Sequence, residues 1–362
     1  MKNKVLIIFS LILTLTLGEA IYAQQPDDMT IDSATRTQII DSLFKDINAS
    51  YVFPEVAKNM EMDVRTRQKS GEYDQLTSAK SFAQKLTDDL RNVSKDKHIR
   101  VRFSNRVIPA RTTRSEPTAA EIEEEKMMMR INNYGFVKIE NMRGNVGYID
   151  LRGFMDPELG AGTVAAAMNF VNNSDALIFD LRHNGGGDPA MVALICSYLF
   201  GDKPVHLNDL YWRVGNKTEE FWTKPEKAAK KYTDKPIYVL TSNRTFSGAE
   251  EFSYNLKSLK RATIVGETTG GGANPGGGFR LGEHFEVFIP TGRAINPITR
   301  TNWEGTGVEP DVKVSQNQAL GTAYLLALNK FLETAKDERF INALKQLIDQ
   351  TQKELNEMKT KA

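Results

Sequence analysis

Residues 238–252 read "YVLTSNRTFSGAEEF". An apolar run ends at Leu240, a polar turn follows, and a helix-competent stretch begins near Ser247. That is the pattern of a strand, a tight turn and a helix, the unit from which α/β cores are built. Ser247 with Glu250 has the Ser-x-x-Glu form of a capping box. The same hydroxyl, held at a sharp strand-to-helix turn, is also where a serine nucleophile would stand. Within these residues the commoner capping reading prevails, and the remainder of the chain has to shift it.

Strand–helix alternation continues on both sides. "NVGYIDLRGF" and "DALIFDLR" are apolar runs bounded by turn residues, and "RATIVGET" and "HFEVFIP" read as further strands. "DPAMVALICSYLF" reads as a helix with Asp188 as N-cap and Pro189 at its first position. "GAEEFSYNLKSLK" reads as a helix packed through Ala249, Phe252, Leu256 and Leu259. The fold class is therefore α/β. Before it, Ile39, Ile40, Leu43, Phe44 and Ile47, then Phe82, Leu86, Leu90 and Val93, recur at helical spacing and predict a small bundle. "HIRVRF" alternates, which predicts a strand bearing Ile99, Val101 and Phe103 on one face. Residues 110–130 predict a linker and a short helix, a candidate flap. The tail from about 317 predicts helix.

Lys2 and Lys4 precede "VLIIFSLILTLTL", an apolar run of signal-peptide length, and the segment after it ends at Ala20 or Ala23. The chain is read as exported, periplasmic or secreted, with no stable membrane insertion after signal removal. Its 47 basic and 46 acidic residues balance, so no nucleic-acid partner is implied. The single cysteine, Cys196, lies in an apolar helical stretch and reads as core. The division expected is signal 1–23, helical bundle and strand 24–105, linker and short helix 106–135, α/β core 136–335 and C-terminal helix 336–362.

Three glycine-rich turns follow strands: 180–189, the turn before Ser247, and 266–278. None has a phosphate-loop or dinucleotide pattern. A serine nucleophile needs a base. Residue patterning does not choose among His98, His183, His206 and His284; His206 is read in a loop and His284 at the head of a strand. Zinc-type ligand spacing is absent, so no metal or other cofactor is expected.

Taken together, "YVFPEVAKNM", "DKHIRV", "GYIDLRGF", "LIFDLRHNGGG", "YVLTSNRTFSGAEEF", "RATIVGETTGGGANP" and "NWEGTGVEPDV" resemble the tail-specific serine peptidases. The branch is that of the tricorn-core peptidase and interphotoreceptor retinoid-binding protein. The resemblance implies a crotonase-like (Clp protease-like) ββα spiral behind a small helical domain. It implies Ser247 as nucleophile, His98 as general base and Glu304 as the acid completing the relay. Backbone amides of Gly186 and Gly248 would form the oxyanion hole. The bacterial branch with a Ser/Lys dyad carries lysine where this chain has Gly272, which favours Ser/His here. Lys97 stands where the tricorn type has a serine before its histidine, so water or direct contact would link His98 to Glu304. The stretch between "HIRVRF" and "GYIDLR" is too short for the family's PDZ module. The implied function is a serine endopeptidase acting on unfolded or C-terminal segments of polypeptides. The other function considered is a non-catalytic binder of an apolar ligand or peptide on the same fold. On the peptidase reading, the Ser247 hydroxyl turns toward His98, Glu250 and Glu251 serve the helix dipole, and Thr245 is a substitute cap.

Overall fold

A computed structural model describes residues 28–110 and 118–360. The expected signal segment lies outside them. Three helices open the chain: α1 (Ser33–Ser50), α2 (Pro54–Lys69) and α3 (Ala79–Ser94). Each start has a local cause. Asp32 accepts from Thr35 N–H at 2.7 Å, Pro54 occupies the first position of α2, and Ser78 accepts from Ser81 N–H at 3.0 Å. Strand β1 (Arg100–Phe103) follows, then α4 (Ala119–Ile131), capped by Thr118 and Glu121. No residue of α4 is buried.

The α/β portion contains β2 (Phe136–Met142), β3 (Val146–Leu151), α5 (Pro157–Val171), β4 (Ala176–Asp180), α6 (Pro189–Ser197), β5 (His206–Trp212) and β6 (Lys217–Trp222). It continues through β7 (Ile237–Thr241), α7 (Gly248–Ser258), β8 (Thr263–Gly266), β9 (Gly276–Arg280), β10 (Phe285–Pro290), β11 (Gly292–Ile295), β12 (Val312–Lys313), α8 (Gln316–Thr334) and α9 (Glu338–Thr360). The main sheet has the order β12-β8-β7-β4-β3-β2 and is parallel except for the β2–β3 pair. Every residue of β3, β4 and β7 is buried, as a sheet covered on both faces requires. One face carries Val164, Met168, Val192 and Phe252 from α5, α6 and α7, and the other Ala323, Ala327 and Leu344 from α8 and α9. The protein is thus a mixed α/β fold around a central mixed sheet. His206 opens β5 rather than lying in a loop, because its segment pairs with β6.

A second core lies at the helical end. Phe44, Met60, Phe82 and Leu86 pack with Ile99 and Val101 of the β1 segment and with Phe285, Val287 and Ile289 of β10. Strand β10 pairs with both β1 and β9. The N-terminal helices therefore close their interior with a hairpin from late in the chain. This places the β1 segment, and His98 just before it, against the α/β body.

Candidate active site

The carboxyl ends of the parallel strands carry the loops that make the site, the usual place for a site in such sheets. After β7, Thr245 accepts from Ser242 N–H at 3.0 Å and donates to Leu181 O at 2.7 Å. It holds the turn and not the helix, so it is not the substitute cap. Phe246 N–H reaches Asn184 O at 3.1 Å, tying this turn to the one after β4. Ser247 is then driven to φ 53°, ψ −124°. A non-glycine residue there costs roughly 1–3 kcal/mol and persists only when its surroundings fix it.

Glu250 supplies much of that restraint. Its carboxylate is fully buried and accepts from Ser247 N–H at 2.9 Å, Gly271 N–H at 2.6 Å, Gly272 N–H at 2.8 Å and the Thr269 hydroxyl. Burial raises its pKa, and these donors oppose the rise. Only the carboxylate half of a capping box is hydrogen-bonded. The Ser247 hydroxyl lies within capping reach of Glu250 N–H but makes no cap hydrogen bond. That N–H goes to the Ser247 carbonyl at 2.8 Å. Both acids expected to serve the helix dipole, Glu250 and Glu251, are buried, and Glu250 is committed to the N–H groups of Ser247, Gly271 and Gly272.

His98 sits beside this turn. Its ring centroid is 4.5 Å from that of Phe246 and 6.0 Å from that of Phe288. The side chain is 10% exposed, and neither ring nitrogen has a hydrogen-bond partner. No hydrogen bond joins it to Ser247 among the described residues. Its main-chain N–H donates to Asp96 Oδ1 at 2.9 Å, while Nδ1 lies 3.8 Å from the same oxygen. Arg91 of α3 braces the segment by donating to Lys97 O at 2.6 Å and Ile99 O at 2.9 Å. Burial lowers the imidazole pKa, and Asp96 partly offsets that.

Glu304 joins from the far side. Its Oε2 accepts from Ala273 N–H at 2.5 Å, and Oε1 has no partner. Burial, with Asp96 nearby, pushes its pKa up to about 8. The buried Trp303 next to it donates to Gly272 O at 2.7 Å. Lys97 donates to Gly270 O at 2.6 Å. Residues 270–274 are consequently clamped by Lys97, Glu250, Glu304 and Asp96, the last through Asn274 Nδ2 at 2.9 Å.

Gly186 has φ 106°, and a Cβ there would lie 2.7 Å from Gly248 N and 2.8 Å from Ser247 Cβ. Only glycine allows this approach. Gly186 N–H donates to Asn184 Oδ1 at 2.8 Å. Gly248, the first residue of α7, has no partner for its N–H among the described residues, as the first turn of a helix leaves it. His183 is exposed, His206 is bound to Asp209 at 2.6 Å and His284 to Ser104 O at 2.9 Å, all on segments other than that of His98. Sequence reading missed Asp96 and Asn274, and it gave Glu250 a capping role without its hold on residues 269–272. Asp96 was the one within reach, two residues before His98 in "DKHIRV".

A serine on a strained turn, a free helix-N-terminal amide and a buried imidazole with carboxyls behind it define a framework of the serine-hydrolase class. Residues 145–314 match the pattern of Peptidase family S41. Residues 30–136 match that of the N-terminal domain of Peptidase_S41 in eukaryotic IRBP. The chain belongs to peptidase family S41, a family of serine peptidases. Carboxyl-terminal-processing peptidase 1, chloroplastic, of Arabidopsis thaliana is 27% identical over 183 residues, which is 50% of this chain and 36% of that protein. The chain spans about a third of the length of the curated relatives it matches. A solved candidate peptidase from Parabacteroides merdae superposes with TM-score 0.58 at 18% identity, covering 83% of this chain and 99% of that one. A lipoprotein from Streptococcus agalactiae superposes with TM-score 0.52 at 14% identity, covering 82% and 96%. Both likenesses are of fold.

Proposed function

We propose that the protein is an exported serine endopeptidase that cleaves unfolded or C-terminal segments of polypeptides, on the crotonase-like spiral that the motifs imply. The observation that carries this is the strained Ser247, whose chain neighbours are Gly248, with a free N–H, and Phe246, whose ring lies 4.5 Å from that of His98. His98, neutral near pH 7 because burial lowers its pKa, takes the Ser247 proton once its ring turns to that hydroxyl. Ser247 Oγ attacks the peptide carbonyl, and the tetrahedral oxyanion develops against Gly248 N–H at the start of α7, where the helix end favours negative charge. Gly186 N–H joins as second donor when it gives up Asn184. Glu304 and Asp96 stabilise the imidazolium, which then protonates the leaving amine.

Ser247→Ala should lower hydrolysis of an unfolded protein by at least roughly a thousandfold, and a fluorophosphonate should label wild type at Ser247 alone. Equal turnover by variant and wild type would sink the proposal. The second reading, a binder without turnover, draws on the missing Ser247–His98 hydrogen bond and on Lys97, committed to Gly270. It predicts tight peptide binding by wild type with neither turnover nor labelling.

A further inference from the structure

The buried cluster behind Ser247 has a property that proton relay does not require. Asp96, His98 and Glu304 each offer a ligand atom, all within 4.8 Å of one another. Two distant segments of the chain supply them, residues 96–98 and residue 304, which is why no sequence spacing announces the full set. Both nitrogens of His98 and Oε1 of Glu304 are buried without a partner. The remaining contacts are of the kind that orients metal ligands from behind. Asp96 accepts from His98 N–H, Asn274 Nδ2 and, at 3.3 Å, Tyr51 Oη, and Glu304 accepts from Ala273 N–H.

One imidazole and two carboxylates form a ligand set that suits zinc-class divalent ions. Asp96, and Glu304 once the incoming ion displaces its proton, supply the negative charge such an ion needs. By contrast, the pairing within the cluster is poor: His98 Nδ1 and Asp96 Oδ1 are 3.8 Å apart, too far for a hydrogen bond.

We infer that Asp96, His98 and Glu304 bind a zinc-class divalent cation that reversibly switches off the site. The inference of inhibition rests on the peptidase reading; the binding site itself does not. A neutral imidazole has one free lone pair. With Nδ1 given to the metal, Nε2 carries the hydrogen and cannot accept the Ser247 proton. Removal of the metal restores the base.

The test uses zinc alone with the full-length chain carrying Ser247→Ala, so that no turnover is needed. Calorimetry, or competition with a chromophoric chelator, should give one zinc per chain with micromolar affinity, and His98→Ala and Glu304→Gln should each weaken it at least tenfold. Cobalt in place of zinc should show visible ligand-field absorption that His98→Ala abolishes, a signature independent of any stability change. In wild type, zinc should block peptide hydrolysis at the concentration that fills the site, with recovery on adding a chelator. Absence of binding below millimolar zinc, or binding that both variants retain, overturns the site. Binding without any wild-type hydrolysis keeps the site and removes the peptidase reading. Hydrolysis insensitive to a bound zinc overturns the switch.

Discussion

Glu251, one helical turn beyond Ser247, is 3% exposed, and its Oε1 has no partner. Burial pushes its pKa up to about 8; the neighbouring Asn208 and Asn255 amides act against the rise and Asp188 adds to it. The sign of the pH effect follows. Between the ordinary value of 4.5 and about 8 the folded protein keeps a proton that the unfolded chain has released. The contribution of Glu251 to stability is therefore greatest in acid, falls as pH rises through that window, and levels off above it. Glu304 contributes with the same sign. Melting temperatures measured across the window should fall more steeply with pH in wild type than in Glu251→Gln. An unchanged slope would mean that Glu251 is ionised in the folded state. None of this was legible in "SGAEEF", where two adjacent acids at a helix start look like a response to the helix dipole. Burial of both depends on what covers α7, and that comes from other parts of the chain.

At the scale of elements, the segment 270–274 bears on the proposed role of His98 as base. A Cβ on Gly272 would lie 2.2 Å from Phe246 Cζ and 2.6 Å from His98 Cε1. The space above Ser247 holds either a side chain from position 272 or the His98–Phe246 pair, but not both. Gly272→Ala should displace the imidazole and lower kcat, with substrate affinity less affected; a chromogenic peptide assay separates the two. If Gly272→Ala retains full kcat, the packing argument fails. The strand–turn–helix units, the Asp188–Pro189 start of α6 and the one-faced α1 and α3 were all legible because local rules govern them. The clamp on 270–274 was not. It joins Lys97, Glu250, Glu304 and Asp96 across long sequence separations, and periodicity carries no such information.

Across the whole molecule, the helical end and the α/β body share structure through β10. Phe285 is 1% exposed and meets Phe82 edge-on with ring centroids 6.3 Å apart, and Phe103 at 5.6 Å. Phe285→Ala should cost about 3–5 kcal/mol, read as a shift of the denaturant midpoint. Amide exchange in α1 and α3 should rise along with that in β10; loosening of β10 alone would refute shared closure. The same arrangement has a bearing on synthesis. A ribosome releases His98 long before Phe285, and β1 has no partner strand until the hairpin emerges. On the proposed peptidase function, assembly of the site waits for β10, and a product truncated before β10 would carry both His98 and Ser247 without the strand that pairs with β1.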